Sequence, residues 1–354
     1  MLKILLAFDH EIPLGGINST YDDAIFNPTD RIIESANKHG FKINLFTDIL
    51  CASAFKKNKI NEFYSKYTLQ LHKALLTGHD VQLHIHPHWV DTQFDNESFK
   101  PSVSFRLADF ANKPYPYNIE GIIETAIEEL KFVCLKAKPD YICNSYRAGG
   151  YNLSPETERI LTSLYKNGIR IDSSIVKGFY YKSALTEINF KNFHFEGNWK
   201  IPLSGPIEDI SKEGLFEVPI ASKPAGMMTN IKHLYFKILY RKHGYSSGKP
   251  IHSGNVKKID KLKFLFSTRP LGFDIISLKP KDLVNILSCY INSQKYTEDI
   301  IVSTVSHPKN MGQYSVQLME EFVKRVKDKY PDVEFCTFTD IYNKIILKRF
   351  ENTL

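Results

Sequence analysis

The sequence predicts an α/β protein built as an irregular (β/α) barrel of about seven strands. Three observations carry this expectation. Short apolar runs alternate with longer segments of helical period, no G-x-G-x-x-G follows the first run, and charged or histidine side chains gather just behind several of the runs. Strand–helix alternation calls for a parallel sheet covered by helices. The missing glycine fingerprint argues against a dinucleotide-binding sheet and for a barrel.

The elements follow in order. "KILLAF" is a continuous apolar run, as in a strand covered on both faces. It is read as a buried first strand, not a signal peptide, because the apolar core is short and an acidic pair follows. "NPTDRIIESANKHG" has Thr29 or Asp30 as N-cap, Ile32, Ile33 and Ala36 on one face, and Gly40 as the stop. "FKINLFT" is the second strand. "NEFYSKYTLQLHKALLTG" sets Phe63, Tyr67, Leu71 and Ala74 at helical spacing and closes on Gly78. "DVQLHI" is the third strand. Helix "IEGIIETAIEELKFVCLKA", strand "YICNSYR", helix "SPETERILTSLYKNG" and strand "IRIDSS" come next. Helix "KPKDLVNILSCYINS", strand "DIIVSTVSH", helix "SVQLMEEFVKRVKDKY", strand "VEFCTF" and a helix from Thr339 end the series. Residues 179–269 break the rhythm with short strands and a basic, aromatic segment. They are expected to be a β-rich, basic insertion within one domain over 1–345, with 346–354 as a tail.

Composition sets limits on function. The chain has 354 residues, 43% of them hydrophobic and 24% charged, the balance of an ordinary globular protein. A formal charge of +7 favours anionic partners, but no arginine-rich tract or zinc-knuckle spacing supports nucleic-acid binding. The five cysteines are scattered and never in C-x-x-C spacing, which points to reduced thiols and a cytoplasmic protein. No run approaches the ~18–20 apolar residues of a membrane span.

The chemistry concentrates at the carboxyl ends of the strands, where such folds place their active sites. Asp9, His10 and Glu11 follow the first strand; His84, His86 and His88 follow the third; Arg147, Asp172 and His307 follow later ones. Histidine and carboxylate recurring at one end of a barrel is the composition of a metal-dependent hydrolase. On an extended strand His84 and His88 would stand about 13 Å apart, too far to share an ion. A turn at Pro87 would bring them together. His84 and His86, on one face of an extended strand, are the rival pair. The sequence geometry leaves both open.

Five segments together resemble the polysaccharide deacetylase (NodB-like) superfamily, in the right order from about residue 2 to 340. They are "AFDHE", "GHDVQLHIHPH", "SYRAGGYN", "GIRIDSS" and "VSHPK". The first motif departs from the usual adjacent aspartates and matches branches with Asp-x-Glu; Gly149 and Gly150 stand where proline is common. The resemblance implies an irregular (β/α) barrel holding one divalent ion, zinc first, with cobalt, nickel or manganese as alternatives. It singles out Glu11, His84 and His88 as ligands, with His10 and His86 as fallbacks. It makes Asp9 the base, Arg147 its partner, His307 the acid and Asp172 the residue orienting His307. Tyr151 and Trp89 are expected to contact substrate. The implied reaction removes an N-acetyl group from an amino sugar, free or on a lipid or nucleotide, in cell-surface glycan assembly. Deformylation of a lipid-linked amino sugar and an inactive carbohydrate-binding barrel are the alternatives.

The segment 231–249 interleaves Lys232, Lys237, Arg241, Lys242 and Lys249 with Tyr235, Phe236, Tyr240 and Tyr245. It reads either as a solvated helix with its aromatic side on the barrel or as a peripheral contact to anionic headgroups at the inner membrane face.

Overall fold

The computed structural model describes residues 1–96, 98–193, 197–248, 259, 263, 267–294 and 299–347. Ten strands frame the site: β1 (Leu2–Leu5), β2 (Ala7–His10), β3 (Asn44–Asp48), β4 (Asp80–Ile85), β5 (Ser145–Ala148), β6 (Ile171–Asp172), β7 (Trp199–Ile201), β8 (Leu215–Glu217), β9 (Ile300–Ser303) and β10 (Glu334–Phe335). Seven of them form one sheet in the order β7-β8-β6-β5-β4-β3-β2. All its pairs are parallel except β7–β8. A second sheet sets β1 between β9 and β10, both parallel to it. Single parallel bridges Phe8–Ser306 and Ile220–Ser303 tie the chain around β9 to β2 at one edge of the larger sheet and to the segment just after β8. The result is the irregular (β/α) arrangement that the alternation predicts.

The strands are buried because both faces of the sheet are covered. Every residue of β2, β3, β4, β5 and β8 is buried. Helices pack outside with the expected faces inward. Asn61–Leu76 buries Phe63, Tyr67, Leu71 and Ala74. Asn27–His39 ends on Gly40 in the left-handed conformation (φ 63°), whose N–H reaches Ala36 O. That helix starts two residues before Thr29, because Pro28 fits the first turn, where no amide donor is needed.

Part of the stretch read as an insertion is integral to the sheet, since β8 pairs in parallel with β6. The remainder forms the hairpin Tyr180–Lys182/Glu187–Asn189, the pair Ser222–Pro224/Thr268–Pro270 and the helix Met227–Leu239. Lys249 and most of the tail from 346 lie outside the described residues. Among the described residues, no helix is long and apolar enough to cross a membrane.

Candidate metal and acid–base site

The pleat at the end of β2 sorts three polar residues. Asp9 and Glu11 are two positions apart and share a face, while His10 takes the other. His10 packs 4.6 Å from the Tyr67 ring, and its Nε2 lies 2.9 Å from Gln70 Oε1. Burial pushes its pKa down to about 4, only partly offset by the Gln70 hydrogen bond. This corrects the fallback reading of His10 as a ligand: the pleat aims it away from Glu11.

β4 continues extended through His86 (φ −110°, ψ 96°) before a turn at Pro87–Val90. His84 and His86 therefore share one face, and that face meets Glu11. The two Nε2 atoms are 3.1 Å apart; Glu11 Oε2 lies 2.5 Å from His86 Nε2 and 3.6 Å from His84 Nε2. All three ligand atoms fall within 4.8 Å of one another, and all three residues are buried. His84 Nδ1 donates to the Arg147 carbonyl at 2.8 Å, which in the neutral ring leaves Nε2 as a bare lone pair. Glu11 Oε2 makes no hydrogen bond of proper geometry despite its close neighbours. Two imidazole nitrogens and a carboxylate oxygen, buried and within 4.8 Å of one another, are a donor set that fits a divalent first-row ion.

Electrostatics keep the Glu11 carboxyl ionised. Burial alone would raise the Glu11 pKa, but Lys309, His86 and His84 outweigh it and keep the carboxyl well below its ordinary range. Lys309 Nζ sits 2.7 Å from Glu11 Oε1. For His84, burial pulls the pKa down while Asp9 and Glu11 raise it above the usual value. Asp48, at the end of β3, accepts the His86 amide at 3.4 Å and is pushed up to about 6 by burial. Gly149 is required behind His86, because a Cβ there would stand 2.3 Å from Ile85 O and 2.8 Å from His86 Nδ1.

His88 does not join the cluster. The turn at Pro87 carries its ring to 4.7 Å from Trp89 and 5.0 Å from Phe105, with both nitrogens buried and unbonded. The fourfold spacing that the resemblance singles out is thus replaced in the structure by the i, i+2 pair. Trp89 is also corrected as a substrate contact. It is buried among Phe99, Phe55 and Phe94, and its Nε1 donates to Asp48 Oδ2 at 2.6 Å. It braces Asp48 under the histidines.

Beside the cluster stand two carboxylate–cation pairs. Arg147 is fully buried and donates from Nη1 to Asp9 Oδ1 at 2.7 Å. Its other donors reach Ser173 O, Ser173 Oγ, Ser303 Oγ and Thr304 O, and the guanidinium stacks 4.3 Å over Phe46. Burial would raise the Asp9 pKa, but Arg147, then His84 and His307, lower it overall. His307 bonds through Nδ1 to Asp274 Oδ2 at 2.7 Å and turns Nε2 toward Asp9 Oδ2 (3.7 Å) and Glu11 Oε1 (3.8 Å). Burial pulls its pKa down; the Asp274 bond and the surrounding carboxylates more than compensate, so it is raised. The His307 side chain is 26% exposed where the ligand residues are nearly sealed, so solvent enters on its side.

Asp172 is corrected as the residue orienting His307. Its carboxylate caps the Ser174 amide and hydroxyl, 3.0 and 2.8 Å away, and it faces Glu217 across the β6–β8 pair. Asp274 takes that place from a loop after Thr268–Pro270. Tyr151 has φ 61° directly after Gly150 at φ 58°, a paired left-handed turn at the end of β5. Its hydroxyl pKa is raised by burial first and then by Asp9. Asp274, Lys309 and Asp48 were not singled out from the sequence. Lys309 lies inside "VSHPK"; Asp274 and Asp48 carry no motif.

Neither a family model nor a curated protein matches the sequence. Solved structures do match in shape. A Mycobacterium smegmatis protein assigned as a polysaccharide deacetylase aligns over 98% of this chain and 91% of its own, at TM-score 0.52 and 12% identity. A Pseudomonas aeruginosa PAO1 protein with the same assignment aligns over 97% and 92%, at 0.47 and 10%. PuuE allantoinase aligns over 97% and 91%, at 0.47 and 9%. The chain therefore shares its fold with the Mycobacterium smegmatis protein.

Proposed function

We propose that this protein is a metal-dependent amide hydrolase that removes an N-acetyl group from an amino sugar in a saccharide precursor. The observation that carries the reading is the juxtaposition of Glu11, His84 and His86 with the Asp9–Arg147 and His307–Asp274 pairs. Glu11, His84 and His86 would hold the ion; zinc suits the donor set, and cobalt, nickel and manganese are the alternatives. When bound, such an ion supplies Lewis acidity at the amide carbonyl and makes a water more acidic.

The protein's residues do the rest. Asp9, kept ionised by Arg147, accepts a proton from the attacking water as its oxygen bonds to the carbonyl carbon. A backbone N–H in the turn at Tyr151 is offered to the developing oxyanion. The C–N bond then breaks, and the nitrogen takes a proton from His307 Nε2, so that acetate and a free amine leave. Asp274 holds Nδ1–H and so fixes which nitrogen donates. The setting of this activity is cell-surface glycan assembly in the cytoplasm.

One observation favours a second reading. Lys309 already neutralises Glu11, as in a barrel that keeps its shape and binds sugar without an ion. The test is metal content together with acetate and formate release from N-acyl amino sugars. Bound metal with acetate supports the proposal; bound metal with formate alone makes it a deformylase. Absence of metal and product leaves the binding barrel.

A further inference from the structure

The helix Met227–Leu239 buries none of its residues. Its inner side is held by polar contacts: His233 Nδ1 lies 2.9 Å from Ser277 Oγ, and Arg269 donates to Asn230 at 2.6 Å. At 100° per residue, Met227, Ile231, Leu234, Tyr235 and Ile238 fall in one arc of about 100°. Each of these five is between 55% and 70% exposed. The apolar stripe of a surface helix ordinarily faces the core; here it faces outward.

Charge says what covers it. From Val218 to Ile259 the sequence has eight Lys and Arg and no Asp or Glu, against 46 and 39 in the whole chain. This stretch alone therefore accounts for the net charge of +7. A second copy of the chain is a poor occupant, since a twofold contact through this helix would set Lys237, Arg241 and Lys242 near their own copies. An outward apolar face followed by the exposed cations Lys237, Arg241 and Lys242 matches an anionic interface.

We propose that this face docks on an anionic lipid bilayer, with the five apolar side chains entering the headgroup region and Lys237, Arg241 and Lys242 meeting lipid phosphates. The segment then leads directly to the site. Tyr240 and His243 stack on Tyr314, and the Ser247 amide donates to the carbonyl of Lys309, whose ammonium holds Glu11. Docking therefore sets the mouth of the site beside the headgroups. Resting on the hydrolase reading above, this makes the substrate an amino sugar carried on a lipid.

The experiment is co-sedimentation of the full chain with phosphatidylcholine vesicles, with and without phosphatidylglycerol, at low and high salt. Binding is expected only with phosphatidylglycerol and is expected to weaken with salt. Leu234→Glu with Ile238→Glu, both at exposed positions, is expected to weaken it at least about tenfold. Leu76→Glu, at an equally exposed apolar position elsewhere, is expected to leave it intact. No binding to phosphatidylglycerol vesicles overturns docking, as does equal binding by the double variant. So does a wild-type dimer that the double variant splits while lipid binding is absent. Pelleting is read without turnover, so its failure and that of the hydrolase reading are separable. Acetate release from an N-acetylated glycolipid in those vesicles is expected to exceed release from the soluble sugar; equal release overturns the substrate class.

Discussion

Asp274→Asn tests the hydrogen-bonded pair at the mouth of the site. The substitution keeps the size and an acceptor oxygen but removes the charge that faces His307 Nδ1 at 2.7 Å. A charge-assisted bond contributes roughly 1.5–3 kcal/mol. The pair is partly open, with side-chain exposures of 26% and 12%, so the lower part of that range applies. At 1.36 kcal/mol per pKa unit, the His307 pKa is expected to fall by about one unit. Asp9 and Glu11, 3.7 and 3.8 Å from Nε2, keep it from falling further. The folded pKa is raised in the wild type, so its stabilisation is full below the unfolded value near 6.5 and lost as pH rises through the folded value. The variant is accordingly expected to be about 1.4 kcal/mol less stable than wild type at low pH, with the gap closing above the folded pKa. NMR titration of the histidine rings in metal-free protein measures the shift directly. The basic limb of the rate profile should move down by the same amount. An unchanged or higher His307 pKa in Asp274→Asn refutes the assignment of Asp274.

Three further outcomes follow from the same geometry. Arg147→Met leaves Asp9 buried without its cation and should cost about 3–5 kcal/mol in urea unfolding, with activity lost even where the fold survives. His10, with its pKa held down to about 4, stays neutral in the folded protein while the unfolded chain gains a proton below pH 6.5; stability should therefore drop by about 3 kcal/mol between pH 6.5 and 4, and His10→Gln should remove that share of the drop. Trp89→Phe deprives Asp48 of its indole donor, and a loss of about 1–3 kcal/mol in thermal or urea unfolding is expected, with the already raised Asp48 pKa moving higher.

The barrel was legible because its signals are local. Apolar runs, helical period and stop residues such as Gly40 act within one element, and the structure keeps them. The strand ends also announced where polar groups would gather: Asp9, Glu11, Arg147 and His307 all meet on one side. Which histidine pairs with His84 was not legible, because it depends on where β4 stops. A strand ending at His84 would turn His88 back toward it. The strand instead runs extended to His86, and Pro87 starts the turn two residues too late. Asp172 and Asp274 show the same limit. Both are single aspartates beside turns, and only the packing of the Thr268–Pro270 strand beside the chain after β9 brings Asp274 to His307. Trp89 was expected to contact substrate, yet Phe55 from the helix Ile49–Lys57 and Phe94 and Phe99 from one hairpin bury it.

The central claim is that Glu11, His84 and His86 hold one divalent ion. Zinc stoichiometry and affinity, measured on wild type, His86→Ala and His88→Ala after chelation and reloading, test it most directly, with circular dichroism to confirm folding. One equivalent is expected in wild type and in His88→Ala, and a loss beyond the roughly 10–100-fold of an outer-shell change in His86→Ala. Retention by His86→Ala together with loss in His88→Ala would contradict the account.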